Sequence, residues 1–592
     1  MREYRGMVCA WAIVCAMGGA GTARSQILLD GEWSPQFHED QDERLPGPDL
    51  GDYLGLPIND AARLRAESWN ASRLTLPEEQ CRVHVSPYIY RGPLDLRIWQ
   101  EKDPDTQQVI AIRNYISTWS QFRAIWMDGR PHPPDYAPHT WMGFSTGKWD
   151  GDILTVETTH LKNGWVRRNG VVMSDHATMT EHFIRHGDVL THVTILRDPA
   201  YLSEPLIKTE DFVLNLHASD ASWVYHCRSV LEITTRPKGD VPHYLPGENP
   251  FMQEFPKKFG LPENAALGGA ETMYPEYRSS MKKSALGAVS KNRLAPLPSP
   301  PSEIQVQKIQ GNVYLLVGDG ANMLIQAADQ GVLLVDTGRS DLSGRMLEAV
   351  RKLSSHPPRW ILNTGPDADH VGGNQAVASI LGSSRNIALV NTPFATAVQN
   401  VEIVAADAMA GRMSGFPSEA WPTETYLGDK DEVFFNGEAI EMYHAPAAHT
   451  DGDSIVFFRR SDVIATGDLF DADRYPQPDL ARGGSLQGII DGLNKIIELA
   501  IPADTDEGGT MIIPGHGRIC DEIDVVEYRD MLTIIRDRLL GMIRKGMTLE
   551  QIQAARPTLD YDPLYGSSGG PWTTDMFVEA AYKSLTASKK AP

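Results

Sequence analysis

The stretch Asn363-Thr364-Gly365-Pro366-Asp367-Ala368-Asp369-His370-Val371-Gly372-Gly373 decides how this chain is read. It follows the apolar run Trp360 to Asn363, so its polar residues are expected in a loop at a strand end. It brings Asp367, Asp369 and His370 close together. An isolated Asp-His pair carries little information, so its neighbours along the chain matter. Upstream, Gly331-Val332-Leu333-Leu334 leads into Val335-Asp336-Thr337-Gly338. Downstream, His449 lies in Ala448-His449-Thr450-Asp451-Gly452-Asp453. Asp468 lies in Thr466-Gly467-Asp468-Leu469-Phe470, and His516 in Ile513-Pro514-Gly515-His516-Gly517. Each segment follows a hydrophobic, strand-like run.

Taken in order, these five segments resemble the motifs of the metallo-β-lactamase superfamily, whose central loop reads N-T-H-x-H-x-D-H-x-G-G. The resemblance covers about Ile304 to Gly517 and implies an αββα sandwich of two similar βα halves. It also implies metal ligands. In the family, one ion is held by the two leading histidines of the central loop and the third-motif histidine. The other is held by the Asp-His pair and the fifth-motif histidine, and the fourth-motif residue bridges them. Carried over, the second site keeps Asp369, His370, His516 and Asp468. The first keeps only His449 and the bridging Asp468. Asp367 stands at a ligand position with a shorter, harder donor, and Gly365 can offer no side chain.

One firm metal site and one weak one are therefore expected. Zinc suits imidazole and carboxylate donors, and the carboxylate-rich half is more tolerant of manganese or iron. Asp369 and Asp468 are assigned the catalytic roles. An aspartate at position 468 resembles the family branches that act on thioesters, lactones and phosphoesters rather than on antibiotics. Asp336 and Asp451 are expected to hold loops or to hydrogen-bond to the ligands.

The activity this implies is attack by a metal-bound hydroxide on an ester, thioester, lactone or amide. Two alternatives stay open. The loss of two histidines fits a degenerate, non-catalytic member that binds a metal or ligand. The harder donor set also permits an iron-dependent redox enzyme, although no flavin or rubredoxin segment is recognisable. The partner implied is a small-molecule substrate, and the oligomeric state is left open.

With 592 residues, several domains are expected. The formal charge of −22, without any basic stripe, argues against a nucleic-acid-binding surface. Residues 1–25 read as a secretory signal: Arg2 and Arg5, an apolar core from Val8 to Met17, then Ala23-Arg24-Ser25 as a cleavage site before Gln26. No run is long enough to span a bilayer. An exported protein, periplasmic or extracellular, is expected. Of the cysteines left after cleavage, Cys81 and Cys227 either pair in an oxidising compartment or stay as buried thiols.

Residues 26–235 alternate in short runs, such as Leu154 to Thr159 and Val189 to Ile195. They predict an antiparallel β domain, a barrel or a sandwich. The turn signals at Asp128-Gly129, Asp150-Gly151 and Gly187-Asp188 mark hairpins. Gly147 to Asp152 and Thr180 to Phe183 resemble uncharacterised exported bacterial proteins, which implies no activity. His132, His139, His160, His176, His182, His186 and His192 show no metal spacing and read as scattered polar positions. Trp141, Trp149, Trp165 and Trp223 read as core. Residues 236–302, ending in Ala295-Pro296-Leu297-Pro298-Ser299-Pro300-Pro301-Ser302, read as a linker. Residues 303–525 form the α/β domain, with strands at Asn312 to Gly318, Met323 to Gln326 and Trp360 to Asn363, and a helix at Leu342 to Leu353. Residues 526–592 predict a helical extension that acts as a lid or brace, or as a dimer interface. In it Thr548-Leu549-Glu550-Gln551 opens a helix as a capping box.

Overall fold

A computed structural model describes residues 27–36, 47–217, 227–280, 303–382, 401–503 and 509–587. The signal segment, Trp223 and the proline-rich stretch Ala295 to Ser302 lie outside them.

The first half carries eleven described strands: β1 (Gly31–Pro35), β2 (Leu96–Lys102), β3 (Val109–Ile116), β4 (Gln121–Trp126), β5 (Phe144–Asp150), β6 (Ile153–Thr159), β7 (Gly164–Arg167), β8 (Val171–Met173), β9 (Thr178–His186), β10 (Val189–Arg197) and β11 (Leu206–Leu214). Nine of them close into a barrel in the order β1-β11-β10-β9-β6-β5-β4-β3-β2, while β7 and β8 form a separate ribbon. Asp150-Gly151 and Gly187-Asp188 join the antiparallel pairs β5/β6 and β9/β10, as the turn chemistry predicts. Asp128-Gly129 makes no hairpin, because β4 and β5 run parallel. There Arg130 folds back on the Asp128 carboxylate, 2.5 Å from Oδ2.

His192 is not a scattered surface residue. It is fully buried in the barrel, Nδ1 2.7 Å from Glu210 and Nε2 2.9 Å from Glu181. Arg123 Nη1 donates to the same Glu181 oxygen at 2.9 Å. Cys81 and Cys227 are joined in a disulfide, with Cα atoms 5.5 Å apart.

Residues 236–280 are not a linker. They include the helices Phe251–Phe259 and Glu263–Ala266, and they bond back onto the barrel domain: Tyr53 N to Ala266 O at 3.0 Å and Gly269 N to Leu56 O at 2.6 Å. Their proline and glycine content shapes turns between short helices that bury Phe255, Ala265 and Ala266.

The second half is the expected sandwich. One sheet has the order β12 (Gln305–Lys308), β13 (Val313–Val317), β14 (Met323–Ala328), β15 (Gly331–Val335), β16 (Pro358–Leu362), β17 (Glu402–Ala406), β18 (Glu424–Tyr426). The other has β19 (Lys430–Phe435), β20 (Glu438–Ala445), β21 (Asp453–Phe458), β22 (Val463–Ala465), β23 (Met511–Ile513). A core of residues from both sheets, among them Leu333, Leu362, Val404, Met442, Val456 and Ile513, lies between them. The helix Ser343–Leu353 covers the first sheet through Met346 and Val350. Helices Leu486–Leu499, Glu522–Arg544 and Thr574–Ala587 cover the second. β15 to β18 are parallel, as are β22 and β23. Parallel neighbours need a crossover, supplied by Ser343–Leu353 between β15 and β16 and by Leu486–Leu499 between β22 and β23. Every residue of β15 is buried, as a two-sided interior strand requires.

The C-terminal extension packs against both halves of the chain. Glu522–Arg544 sits against the second sheet and also meets the barrel domain through charge pairs. Glu527 accepts from Arg65 at 2.7 Å and from Arg82 at 2.5 Å. Asp530 accepts from Arg73 at 2.5 Å, and Lys162 reaches Asp521 at 2.8 Å. The capping box at Thr548 and Gln551 is present. No helix among the described residues is long and apolar enough to cross a membrane.

Candidate metal centre

Four motif segments leave the sheets at the carboxyl ends of strands: Asp336 after β15, Thr364 to His370 after β16, Gly467-Asp468 after β22, and Gly515-His516 after β23. In open α/β sheets this is where ligands bind. The loops lock together by backbone bonds. Asp336 N donates to Leu362 O at 3.0 Å, Thr337 N to His370 O at 2.8 Å, and Gly515 N to Gly467 O at 2.9 Å. Gly467 has φ +54°, and a Cβ there would collide with Thr364 Oγ1, so only glycine lets these two loops touch.

Two groups result, sharing one neighbourhood: Asp369, His370 and His516 in one, Asp367, His449 and Asp468 in the other. All six residues singled out in the sequence are thus brought together. His370 donates from Nδ1 to Asp336 Oδ2 at 2.7 Å, which turns Nε2 inward. Asp336 is itself held by Thr364, whose N and Oγ1 donate to it at 2.9 and 2.5 Å. His370 Nε2 lies 3.2 Å from Asp468 Oδ1. His516 Nε2 is 3.4 Å from both Asp369 Oδ2 and Asp468 Oδ1.

The decisive detail is a misfit as hydrogen bonding. His370 Nε2 and Asp468 Oδ1 are both buried and face each other at 3.2 Å, yet neither makes a well-aligned hydrogen bond. Leaving such atoms unsatisfied is costly. An imidazole nitrogen and a carboxylate oxygen in this state, with His516 and Asp369 converging on them, are the donor set of a divalent metal. Asp336 supplies the outer hydrogen bond that ligating histidines characteristically make. The residues present therefore fit one ion.

The charges agree. Burial would lower the basicity of His370, but the Asp468 and Asp336 carboxylates hold it well above the usual histidine range. Burial likewise opposes the charged form of His516, and Asp369 and Asp468 push it up to about 9. Against its burial, His370 and His516 hold Asp468 well below the usual carboxylate range. A divalent ion held by these residues would bind in exchange for such protons.

The other group is different. His449 is oriented by the Gln477 carbonyl at Nδ1 and meets Asp367 Oδ2 at 2.9 Å through Nε2. Asp468 Oδ2 is 3.8 Å from the same nitrogen. Asp367 Oδ1 is taken by Arg482 Nη2 at 2.7 Å, and Arg482 Nε is held by Asp479 Oδ2 at 2.7 Å. Both oxygens of Asp367 are thus engaged, one by His449 and one by the Arg482 guanidinium. Neither Arg482 nor Asp479 belongs to a motif quoted from the sequence; the adjacent Gly483-Gly484 pair was the signal that a tight turn stood there.

Fold and site together define a two-sheet α/β sandwich with a candidate metal centre at its strand ends. Residues 307–516 match the model of the Metallo-beta-lactamase superfamily, and this part of the chain is a domain of that superfamily. Among solved structures, the chain is similar to a stereoselective inverting sec-alkylsulfatase from Pseudomonas sp., at 16% identity and a TM-score of 0.36, over 47% of this chain and 50% of that one. It is also similar to a metallo-beta-lactamase from Pontibacter korlensis, at 17% identity and a TM-score of 0.30, over 39% of this chain and 99% of that one. The chain spans about half the length of the alkylsulfatase. No curated protein matches it.

Proposed function

We propose that this protein is an exported hydrolase that holds one divalent ion, zinc in the first instance, between Asp369, His370, His516 and Asp468, and cleaves an ester, thioester, lactone or amide. The observation that carries the reading is the buried pair His370 Nε2 and Asp468 Oδ1, which make no well-aligned hydrogen bond and lie among two further donors. A bound divalent ion would acidify water and polarise a carbonyl at this place.

The chain's own residues prepare the site. Asp336 fixes the ring of His370 and its tautomer. Asp369, with a side chain 32% exposed, faces the open side and is placed to take a proton. Asp468, between His370 and His516, keeps its carboxylate charged. The disulfide Cys81–Cys227 supports an oxidising compartment, in line with the Arg-led apolar N-terminus.

The test is to strip the purified protein with a chelator, restore zinc, and screen esters, thioesters, lactones and β-lactams. Zinc-dependent turnover of one class is expected, and it should vanish in His516→Ala. Zinc binding without any turnover would transfer the reading to a non-catalytic member of the fold. Iron with a reducible spectrum would transfer it to redox chemistry.

A further inference from the structure

Arg482 is a built part of the site rather than a surface residue that strays into it. It ends the turn Leu480–Arg482, which Asp479 caps by accepting from Ala481 N and Arg482 N at 2.9 and 3.0 Å. This turn is sewn to the third-motif loop along its length. Asp479 N donates to His449 O at 2.8 Å, Asp451 N to Arg482 O at 3.0 Å, and Ser485 N to Ala447 O at 2.9 Å. Gly484 packs so closely that a Cβ would collide with His449 O. The backbone that positions His449 therefore positions Arg482 as well.

The guanidinium then enters the half of the site that lacks histidines. Its planar fork holds Asp479 through Nε and Asp367 through Nη2. Arginine stays charged at any ordinary pH. Asp367, which it holds, belongs with His449 and Asp468 to the second candidate group.

Resting on the single-metal reading above, we infer that Arg482 takes the place of a first metal ion: a permanent cation that neutralises Asp367 beside His449 and keeps the centre to one metal. The sequence accounts for the missing ligand at Gly365. The structure adds that the charge the lost ion would have carried is supplied by the chain. The replacement is local: the guanidinium bonds to Asp367 and Asp479, on the far side of Asp367 from its bond to His449.

The test is zinc stoichiometry of the full-length protein, by metal analysis after gel filtration and by titration of the stripped protein. Wild type should hold one equivalent. Arg482→Met releases Asp367 and His449 and should take a second, weaker equivalent. Arg482→Lys keeps the charge and should stay at one. If Arg482→Met loses its folded state by circular dichroism, Arg482→Gln serves, with the same expectation of a second equivalent. Two tightly held ions in wild type would overturn the inference. So would a folded, uncharged variant that still binds one. In that last case the single-metal reading survives, whereas no zinc in any of the proteins overturns both.

Discussion

Asp336 and His370 are joined by a buried hydrogen bond of 2.7 Å, and that bond aims the other nitrogen of His370 at Asp468. Asp336 adopts φ +58°, a conformation that asparagine tolerates and most residues do not. Asp336→Asn therefore keeps the loop and the bond from Thr364 N while removing the charge behind His370. Zinc affinity should fall by about 10–100-fold, with the thermal melt of the stripped protein little changed. Competition against a chromogenic chelator reads the affinity. An unaltered affinity would reduce Asp336 to a loop anchor.

Restoring the two histidines is a separate matter from admitting the ion. At Gly365 there is room: a Cβ would meet only Asp453 Oδ1, at 3.4 Å. Gly365→His with Asp367→His supplies the family's donors but leaves Arg482 held by Asp479 in the same space. The double variant should stay near one zinc, and adding Arg482→Met should raise it to two. Two equivalents in the double variant alone would show that Arg482 swings away freely.

The motif loops were legible because each is short, follows a strongly apolar strand and carries its own turn residues; the sandwich and the meeting of all six candidate ligands follow from that. Arg482 was not legible, since its role depends on backbone bonds between the segment 477–485 and the loop of His449, which no local pattern encodes. His192 was missed for a related reason. Within an alternating strand a histidine on the inward face looks like any polar position until the facing strands bring Glu181 and Glu210 to its two nitrogens. The helices within 236–280 were hidden by proline and glycine, which mark turns between short packed elements as readily as a flexible tether.

Glu527 is the joint between the barrel domain and the C-terminal extension. Two arginines of the barrel domain, Arg65 and Arg82, converge on its two oxygens, and against its burial they hold it at about 2. Glu527→Ala would leave Arg65 buried without its carboxylate, while Arg82 would keep only the longer contact to Glu79 at 3.3 Å. A loss of about 3–5 kcal/mol is expected, as for other broken buried pairs, measured by urea unfolding of the whole chain. Two separate transitions in the variant would show that this contact couples the halves. A loss below about 1 kcal/mol would place the pair with ordinary surface bridges.

The barrel should weaken in alkali through His192. Burial opposes its charged form, but the hydrogen bonds it donates to Glu181 and Glu210 raise it to about 9, against 6.5 for an unperturbed histidine. A group whose folded value is raised contributes stability that is complete below the unfolded value and is lost as pH climbs through the folded one. The His192 contribution is thus full below about 6.5 and disappears through about 9. Glu181 works in the opposite sense: against burial, Arg123 and His192 lower it to about 2, so its contribution is full above the ordinary glutamate range and fades only in strong acid. Melting curves of wild type and His192→Gln between pH 5 and 10 separate this from other titrations. The gap between the two proteins should be widest near pH 6 and close towards pH 10. A gap that stays constant across the range would mean that His192 acts through packing rather than charge.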